Sequence, residues 1–241
     1  MQAEWEQLKR AIEKSARIVF LGGAGVSTES GIPDFRSKDG IFAAIRRYGH
    51  PPETLLSHDF FLSHTDIFYR YYRSMLLYPN AAPNAAHEVL AELERRGKLT
   101  AIVTQNIDGL HQQAGSKNVL ELHGSVYRNS CMACGKRHGL DEIIGGDGVP
   151  KCSCGGVIKP DVVLYGEMLD DAVVDASIRS IQTADLLIIG GTSLTVYPAA
   201  SLMQYFHGDV LALINLSSTP MDRHADIVVH DSIGEVLRAC I

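Results

Sequence analysis

The sequence predicts an α/β fold, a mostly parallel sheet with helices on both faces and one small inserted domain. Three observations predict it. Short runs of Val, Ile and Leu alternate with amphipathic helical patterns, as in parallel strands covered on both faces. Each run ends in polar or glycine-rich residues, where sheets of this kind place their ligands. Two close cysteine pairs fall in a stretch with little regular apolar pattern. A chain of 241 residues, 46% of them hydrophobic, holds one full α/β core with a small insertion and is too short for two large domains.

In order along the chain, Ala3 to Lys14 is the first helix, with Trp5, Leu8 and Ile12 on one docking face. Ile18-Val19-Phe20-Leu21 is a buried strand that opens into Gly22-Gly23-Ala24-Gly25. Glycines at such a turn let main-chain N–H groups approach a phosphate at a helix N-terminus, so a dinucleotide is one reading. A plain glycine-rich turn is the other, because a Gly-x-Gly alone does not separate them. Thr28 stands where the third glycine of the usual fingerprint would be, and Gly31 with Ile32-Pro33 stops any helix within about two turns. The long helix and acid-ended second strand of a hydride-transfer fold are not visible. In their place, Ser37 to His50 reads as a long loop able to close over a ligand.

Asp66 to Leu77, rich in aromatic residues and arginine, is expected to be helical, and Ala86 to Arg96 is an amphipathic helix with Val89, Leu90 and Leu93 inward. Strands follow at Ala101 to Thr104 before Gln105-Asn106-Ile107-Asp108, and at Val119 to Leu122 before His123-Gly124. Two more run from Leu186 to Ile189 before Gly190-Gly191-Thr192-Ser193, and from Val210 to Ile214 before Asn215-Leu216-Ser217. A last strand at Asp226 to Val229 and a helix from Ile233 to Arg238 close the chain.

The pairs Cys131-x-x-Cys134 and Cys152-x-Cys154 are separated by 17 residues. In a reducing compartment such spacing favours metal over disulfide, and two short chelating loops suit tetrahedral zinc with Zn–S near ~2.3 Å. Gly155-Gly156 relieve the tighter second loop. Four thiolates leave no position for an activated water, so the metal holds structure. Cys240 reads as an ordinary thiol. The net charge of −6 argues against a nucleic-acid surface. Met1 to Arg17 lacks a signal-peptide core and no apolar run has membrane-spanning length, so a cytoplasmic protein is expected.

Gly23-Ala24-Gly25-Val26-Ser27, Gly31-Ile32-Pro33-Asp34-Phe35-Arg36, Thr104-Gln105-Asn106-Ile107-Asp108, His123-Gly124, the cysteine pairs and Gly191-Thr192-Ser193-Leu194 together resemble the sirtuin family of NAD-dependent protein deacylases. The motifs run in order over essentially the whole chain and are most similar to the compact bacterial type. The resemblance implies a single catalytic domain over 1–241, with a Rossmann-like part at about 1–35, 85–125 and 160–241. A helical cofactor-loop module would occupy about 36–84 and a zinc-binding insertion about 125–160. It implies a protein lysine deacetylase in which the acetyl-lysine oxygen attacks the nicotinamide ribose, releasing nicotinamide, deacetylated protein and O-acetyl-ADP-ribose. NAD is then a consumed co-substrate, one zinc ion is structural, and the partners are acetyl-lysine proteins or peptides.

By this resemblance Ala24, Thr28 and Arg36 contact the diphosphate and its ribose, with Gly23, Gly25 and Asp34 in the same cradle. Thr192, Ser193, Asn215 and Ile233 surround the adenosine end, flanked by Gly191 and Leu216. Asp108 and Ile107 hold the nicotinamide carboxamide, Phe35 shields the reacting face, and Gln105 and Asn106 orient the ribose and a water. His123 is the general base for a ribose hydroxyl, since imidazole ordinarily titrates near ~6.5. His123 and Asn106 are the catalytic pair. Val163 lines an acyl-lysine tunnel, Gly166 and Glu167 pair with the peptide main chain beside Tyr165, and Val196 faces them across the groove. Each has a plainer alternative: His123 as a strand-end residue, Asp108 as a helix cap, Phe35 as a loop anchor, Arg36 as a salt-bridge partner, and 160–167 as a core strand with a polar end.

Family members preferring succinyl or malonyl groups carry a Tyr-x-x-Arg pair on the helix after the cofactor loop. Here Tyr69 is followed by Tyr72, with Arg70 and Arg73 out of register, so neutral acyl groups are expected. Protein mono-ADP-ribosyl transfer, long-chain or lipoyl deacylation and an NAD-sensing binding module are the alternatives. A monomer that uses neither nucleic acid nor membrane is expected.

Overall fold

The apolar runs of the sequence become strands β1 (Ile18–Gly22), β2 (Leu99–Thr104), β3 (Val119–Glu121), β4 (Gly124–Cys131), β5 (Arg137–His138), β6 (Ile158–Val162), β7 (Leu186–Gly190), β8 (Val210–Ile214) and β9 (Ile227–Val229). The structure is a computed structural model and describes residues 2–34, 38–194 and 199–241. Six strands form one parallel sheet in the order β3-β2-β1-β7-β8-β9. β1 and β7 are buried at all five positions, which is why they read as unbroken apolar runs. The order reverses at β1, between β2 and β7, and such a switch point opens a crevice at the carboxyl ends of the strands.

The helices are α1 (Gln2–Lys14), α2 (Lys38–Tyr48), α3 (Pro52–Leu55), α4 (His58–Ser63), α5 (Thr65–Met75), α6 (Ala85–Arg95), α7 (Leu110–Gln113), α8 (Asp141–Ile144), α9 (Asp171–Thr183) and α10 (Ile233–Ala239). Leu8 and Ile12 of α1, Leu90 and Leu93 of α6, and Val236 and Leu237 of α10 pack with Phe20 and Ile188 in one core on the first face of the sheet. Ile181 of α9 packs with Leu21, Val103 and Leu187 on the other. α9 goes beyond the elements expected individually. Its start was readable, since Asp170 Oδ1 accepts the Ala172 and Val173 N–H groups at 2.8 and 3.3 Å.

A third core lies between the segment α2–α5 and a small antiparallel sheet of order β5-β4-β6. Phe68, Tyr69 and Tyr72 of α5 pack there with Ile158, Val162, Cys131 and Cys152. The Tyr69 hydroxyl donates to the Ile158 carbonyl. The cysteine-bearing stretch therefore contains strands that its thin apolar pattern did not announce.

Ser37 to His50 is a correction. Residues 38–48 form α2 and not a loop. Ile41, Ala44 and Tyr48 recur at i, i+3 and i+7, so one face can dock. Ala44 is fully buried, and the Tyr48 ring meets Tyr71 edge-on at 5.3 Å. That periodicity outweighs Gly40, which falls in the first turn. Among the described residues no helix is long and apolar enough to cross a membrane.

Candidate active site

β1 runs straight into two short 3-10 turns, Ala24–Val26 and Thr28–Ser30, and Gly31 ends them with φ +80°. The Gly25 N–H donates to the Gly191 carbonyl at 2.8 Å and the Gly23 N–H to that of Gly190 at 3.2 Å. A Cβ on Gly25 would lie 2.7 Å from Gly191 Cα. These two glycines thus serve close approach of the turn to the end of β7, and their N–H groups are engaged inside the protein instead of pointing to a phosphate. Thr28, in place of a third glycine, closes the turn by donating from Oγ1 to the Gly25 carbonyl at 2.9 Å. Asp34 is half-buried. Phe35 and Arg36 lie outside the described residues.

After β2 the chain crosses this turn. Asn106 Nδ2 donates to Ser27 Oγ at 3.0 Å, and Ser27 Oγ donates to Asp108 Oδ2 at 2.7 Å. Asp108 Oδ1 accepts the Leu110 N–H at 3.0 Å, so the residue also closes the start of α7. Ser27, 1% exposed, joins both polar residues and is a site residue that sequence reasoning missed, although it lies within the Gly23–Ser27 motif. Gln105 is anchored by its N–H to the Gly22 carbonyl at 3.0 Å and by Nε2 to Thr192 Oγ1 at 3.1 Å. The Ile107 carbonyl accepts the Val126 N–H at 3.0 Å.

His123 occupies the tight turn between β3 and β4, with Nδ1 2.9 Å from the Gln105 carbonyl. A carbonyl accepts and never donates, so Nδ1 carries a proton, and in the neutral ring the lone pair is on Nε2. Gly124 next to it has φ +76°, and a Cβ there would collide with the Asp161 carbonyl. The Val163 N–H donates to the His123 carbonyl at 3.0 Å, tying the histidine turn to the segment beyond β6.

A cavity of about 230 Å³ lies where these pieces meet. Ala24, Ser27, Gln105 to Asp108 and His123 line it together with Val163 to Glu167. Met75 and Leu76 contribute from the C-terminal end of α5. Tyr69 and Tyr72 do not line it; both are buried against the small sheet. Among the described lining residues there is no lysine or arginine.

The backbone of Tyr165 is paired with the α3–α4 junction, its N–H with the Leu56 carbonyl and its carbonyl with the His58 N–H, both at 2.9 Å. Glu167 Oε1 meets His58 Nδ1 at 2.9 Å, while Oε2 accepts from Lys159 Nζ at 3.1 Å and the Leu164 N–H at 2.9 Å. Burial pushes this carboxyl up, but the Leu164 N–H, His58 and Lys159 together hold it below the ordinary carboxylate range. Its side chain thereby ties the segment to His58 and Lys159. Val196 lies outside the described residues.

The remaining expected residues gather at the ends of β7 and β8. Gly191 has φ +61° and donates to the Ile214 carbonyl at 3.1 Å. Asn215 Nδ2 donates to the Thr192 carbonyl at 3.1 Å. Ile233 is buried at the start of α10 with Cδ1 3.5 Å from where a Cβ on Gly190 would stand, whereas Ser193 and Leu216 are exposed. This group does not line the cavity; the Gln105–Thr192 hydrogen bond joins the two neighbourhoods.

Cys131, Cys134, Cys152 and Cys154 bring four sulfurs within 4.8 Å of one another, with the closest pairs at 3.5 Å. Tetrahedral zinc sets sulfurs about 3.8 Å apart, so the four thiols fit one such ion and leave no open ligand position. Cys131 and Cys152 are buried in the third core, and none of the four is in a disulfide.

A parallel sheet with a cleft at its switch point, a glycine turn stitched into that cleft, and a closed four-thiolate centre alongside define the class: a dinucleotide-type α/β enzyme with a structural metal module. Residues 23–198 match the Sir2 family, and the chain belongs to that family. It is 56% identical over 237 residues to a Clostridium acetobutylicum protein named NAD-dependent protein deacetylase, covering 98% of this chain and 97% of that one. A protein of the same name from Clostridium perfringens is 57% identical over 239 residues, 98% of each chain. Among solved structures, one described as the structural basis for the mechanism and regulation of Sir2 enzymes matches with TM-score 0.90 at 36% identity, covering 100% of this chain and 97% of that one. A Sir2 with a p53 peptide and NAD+ matches with TM-score 0.84 at 37% identity, covering 97% and 95%.

Proposed function

We infer that this chain is an NAD-dependent protein lysine deacetylase that consumes NAD and yields nicotinamide, deacetylated protein and O-acetyl-ADP-ribose. The observation that carries the reading is one shared cavity lined by the glycine turn, Gln105 to Asp108, His123 and the Val163 to Glu167 segment. A dinucleotide and an acyl-lysine entering from opposite sides would meet there. NAD, when bound, supplies a ribose carbon that turns electrophilic as nicotinamide leaves.

The protein's part is positioning. Ala24, Thr28 and Arg36 would hold the diphosphate, with Gly23 and Gly25 allowing close approach and Asp34 and Phe35 flanking it. Gly191, Thr192, Ser193, Asn215, Leu216 and Ile233 would surround the adenosine end. Asp108 and Ile107 would hold the carboxamide, and Ser27 fixes the Asp108 carboxylate relative to Asn106. Asn106 and Gln105 would orient the ribose and a water. His123 would take a ribose hydroxyl proton at Nε2, the nitrogen whose lone pair the Gln105 carbonyl preserves. Val163 would line the acyl-lysine tunnel, and Gly166 and Glu167 would pair with the substrate peptide main chain beside Tyr165, whose own backbone is already engaged, with Val196 across the groove. The four cysteines would hold zinc and take no part in the chemistry. The described lining, which holds no lysine or arginine, favours neutral acyl groups, because an acyl carboxylate desolvated beside it would have no cation among those residues. The reading extends to a monomeric cytoplasmic enzyme without a nucleic-acid or membrane role, in keeping with a net charge of −6.

The test is mass spectrometry of products from NAD with acetyl-, succinyl-, decanoyl- and lipoyl-lysine peptides. O-acetyl-ADP-ribose, formed faster than the succinyl product, is expected. Transfer of ADP-ribose to protein without an O-acyl product, or faster desuccinylation, would overturn the assignment.

A further inference from the structure

Asn84 is the N-cap of α6, and its side-chain oxygen accepts the Ala86 N–H at 2.9 Å. Its own N–H donates to His87 Nδ1 at 3.3 Å, completing a capping box. A cap of this kind needs only the side-chain oxygen. The other half of the same amide does something a cap does not require. Nδ2 reaches back along the sequence to donate to the Val26 carbonyl at 2.8 Å and to Ser30 Oγ at 2.9 Å. One acceptor lies in the first 3-10 turn of the glycine cradle and the other in the second. Ser27, Thr28 and Glu29 are the residues enclosed between them.

A second latch acts on the same loop. Glu29 Oε1 accepts the Gly234 N–H at 3.0 Å in the first turn of α10, where Ser232 makes no side-chain cap bond. The cradle is thus tied to two helices through groups that do not line the cavity. A loop already held in its binding shape loses less freedom when a ligand arrives.

We propose that Asn84 is a positioning residue for the dinucleotide, its amide N–H groups presetting the turn Ala24–Ser30 in the ligand-ready shape. The inference rests on the reading of NAD as co-substrate. Asn84→Asp separates the two roles, since aspartate caps a helix as well as asparagine does but has no hydrogen to donate. The carboxylate would also face the Val26 carbonyl unfavourably. Asn84→Ser keeps a capping oxygen on a side chain too short to bridge both turns, and serves if the aspartate variant misfolds.

Three readouts apply: calorimetric NAD binding, KM for NAD against kcat, and hydrogen exchange of the ligand-free protein. In both variants Kd and KM for NAD should rise about tenfold, while kcat at saturating NAD stays within about twofold. Exchange should quicken at 26–31 and stay as in the parent at 85–95, because the helix keeps its cap. Unchanged NAD affinity beside normal binding by the parent protein would overturn the inference alone, as would exchange that quickens equally in α6. A parent protein that neither binds nor consumes NAD would overturn the functional reading, and this inference with it.

Discussion

Acid should destabilise this protein through two histidines that lie behind the site. His87 and His111 are 0% and 1% exposed, with ring centroids 4.7 Å apart. Nε2 of His87 and both ring nitrogens of His111 have no hydrogen-bond partner among the described residues. Burial pushes His87 down to about 4 although Asp108 and Glu29 pull it back, and burial together with the neighbouring His87 pushes His111 down to about 3. Both are therefore neutral in the folded protein, while in the unfolded chain each binds a proton near pH 6.5. With depressed folded values, their stability contribution is complete above about pH 6.5 and is lost as pH falls towards the folded values. Each costs about 1.4 kcal/mol per pH unit in that window, hence roughly 4 kcal/mol for the pair at pH 5. That is a large part of the typical 5–15 kcal/mol of a folded domain, and corresponds to roughly 10 °C in Tm for a chain of this size. The assay is thermal unfolding between pH 8 and 5 at constant ionic strength, run beside His111→Phe. The His111 ring already stands edge-on to Phe20 at 6.2 Å, so a phenyl ring suits the place. The variant should lose roughly half as much of its stability between pH 8 and 5 as the parent does through this pair. Thiolate protonation at the cysteine centre affects both proteins alike and cancels in the comparison. Superimposable pH dependences would refute the reasoning.

Ser27→Ala removes the hydroxyl that joins Asp108 to Asn106, including a bond to a carboxylate of the kind worth about 1.5–3 kcal/mol. We expect kcat/KM to fall about 10- to 100-fold; steady-state kinetics at the parental value would contradict this. Stripping the metal with a chelator, or replacing Cys131 and Cys134 together by serine, should loosen the third core, in which Cys131 and Cys152 pack with Tyr69 and Tyr72. The expected signature is loss of near-ultraviolet tyrosine dichroism and a lower Tm with the parallel-sheet signal retained, and a metal-free protein of unchanged Tm would dismiss it.

What was legible in the sequence followed physical periodicity. The fully buried strands β1 and β7 announced themselves as apolar runs, and α6 as a clean amphipathic helix, because burial on one or both faces leaves its period in the residue types. Gln105 to Asp108 and His123, which line the cavity, were readable as polar endings to β2 and β3. The function of the glycines was less so. Their spacing looked like N–H donors to a phosphate, yet Gly23 and Gly25 are engaged by the carbonyls of Gly190 and Gly191, contacts across more than 160 residues that no local pattern encodes. Ser27, Asn84 and Glu29 escaped notice for the same reason, as each acts on a partner distant in sequence. α2 was misread because Gly40 and scattered polar residues were weighed above the 41, 44, 48 spacing.

Gly124 sets a limit on how this scaffold can vary. Its left-handed backbone and the Asp161 carbonyl beside it exclude any side chain, so a saturation library at this position should return glycine among folded clones. The placement of His123 is thereby inherited from its neighbour's lack of a side chain. Substitutions elsewhere in the turn can alter the chemistry offered to the cavity, but changing residue 124 would move the wall itself. Designers seeking new acyl selectivity have more room at Met75 and Leu76, which face the same space from a helix that can exchange side chains without bending its backbone.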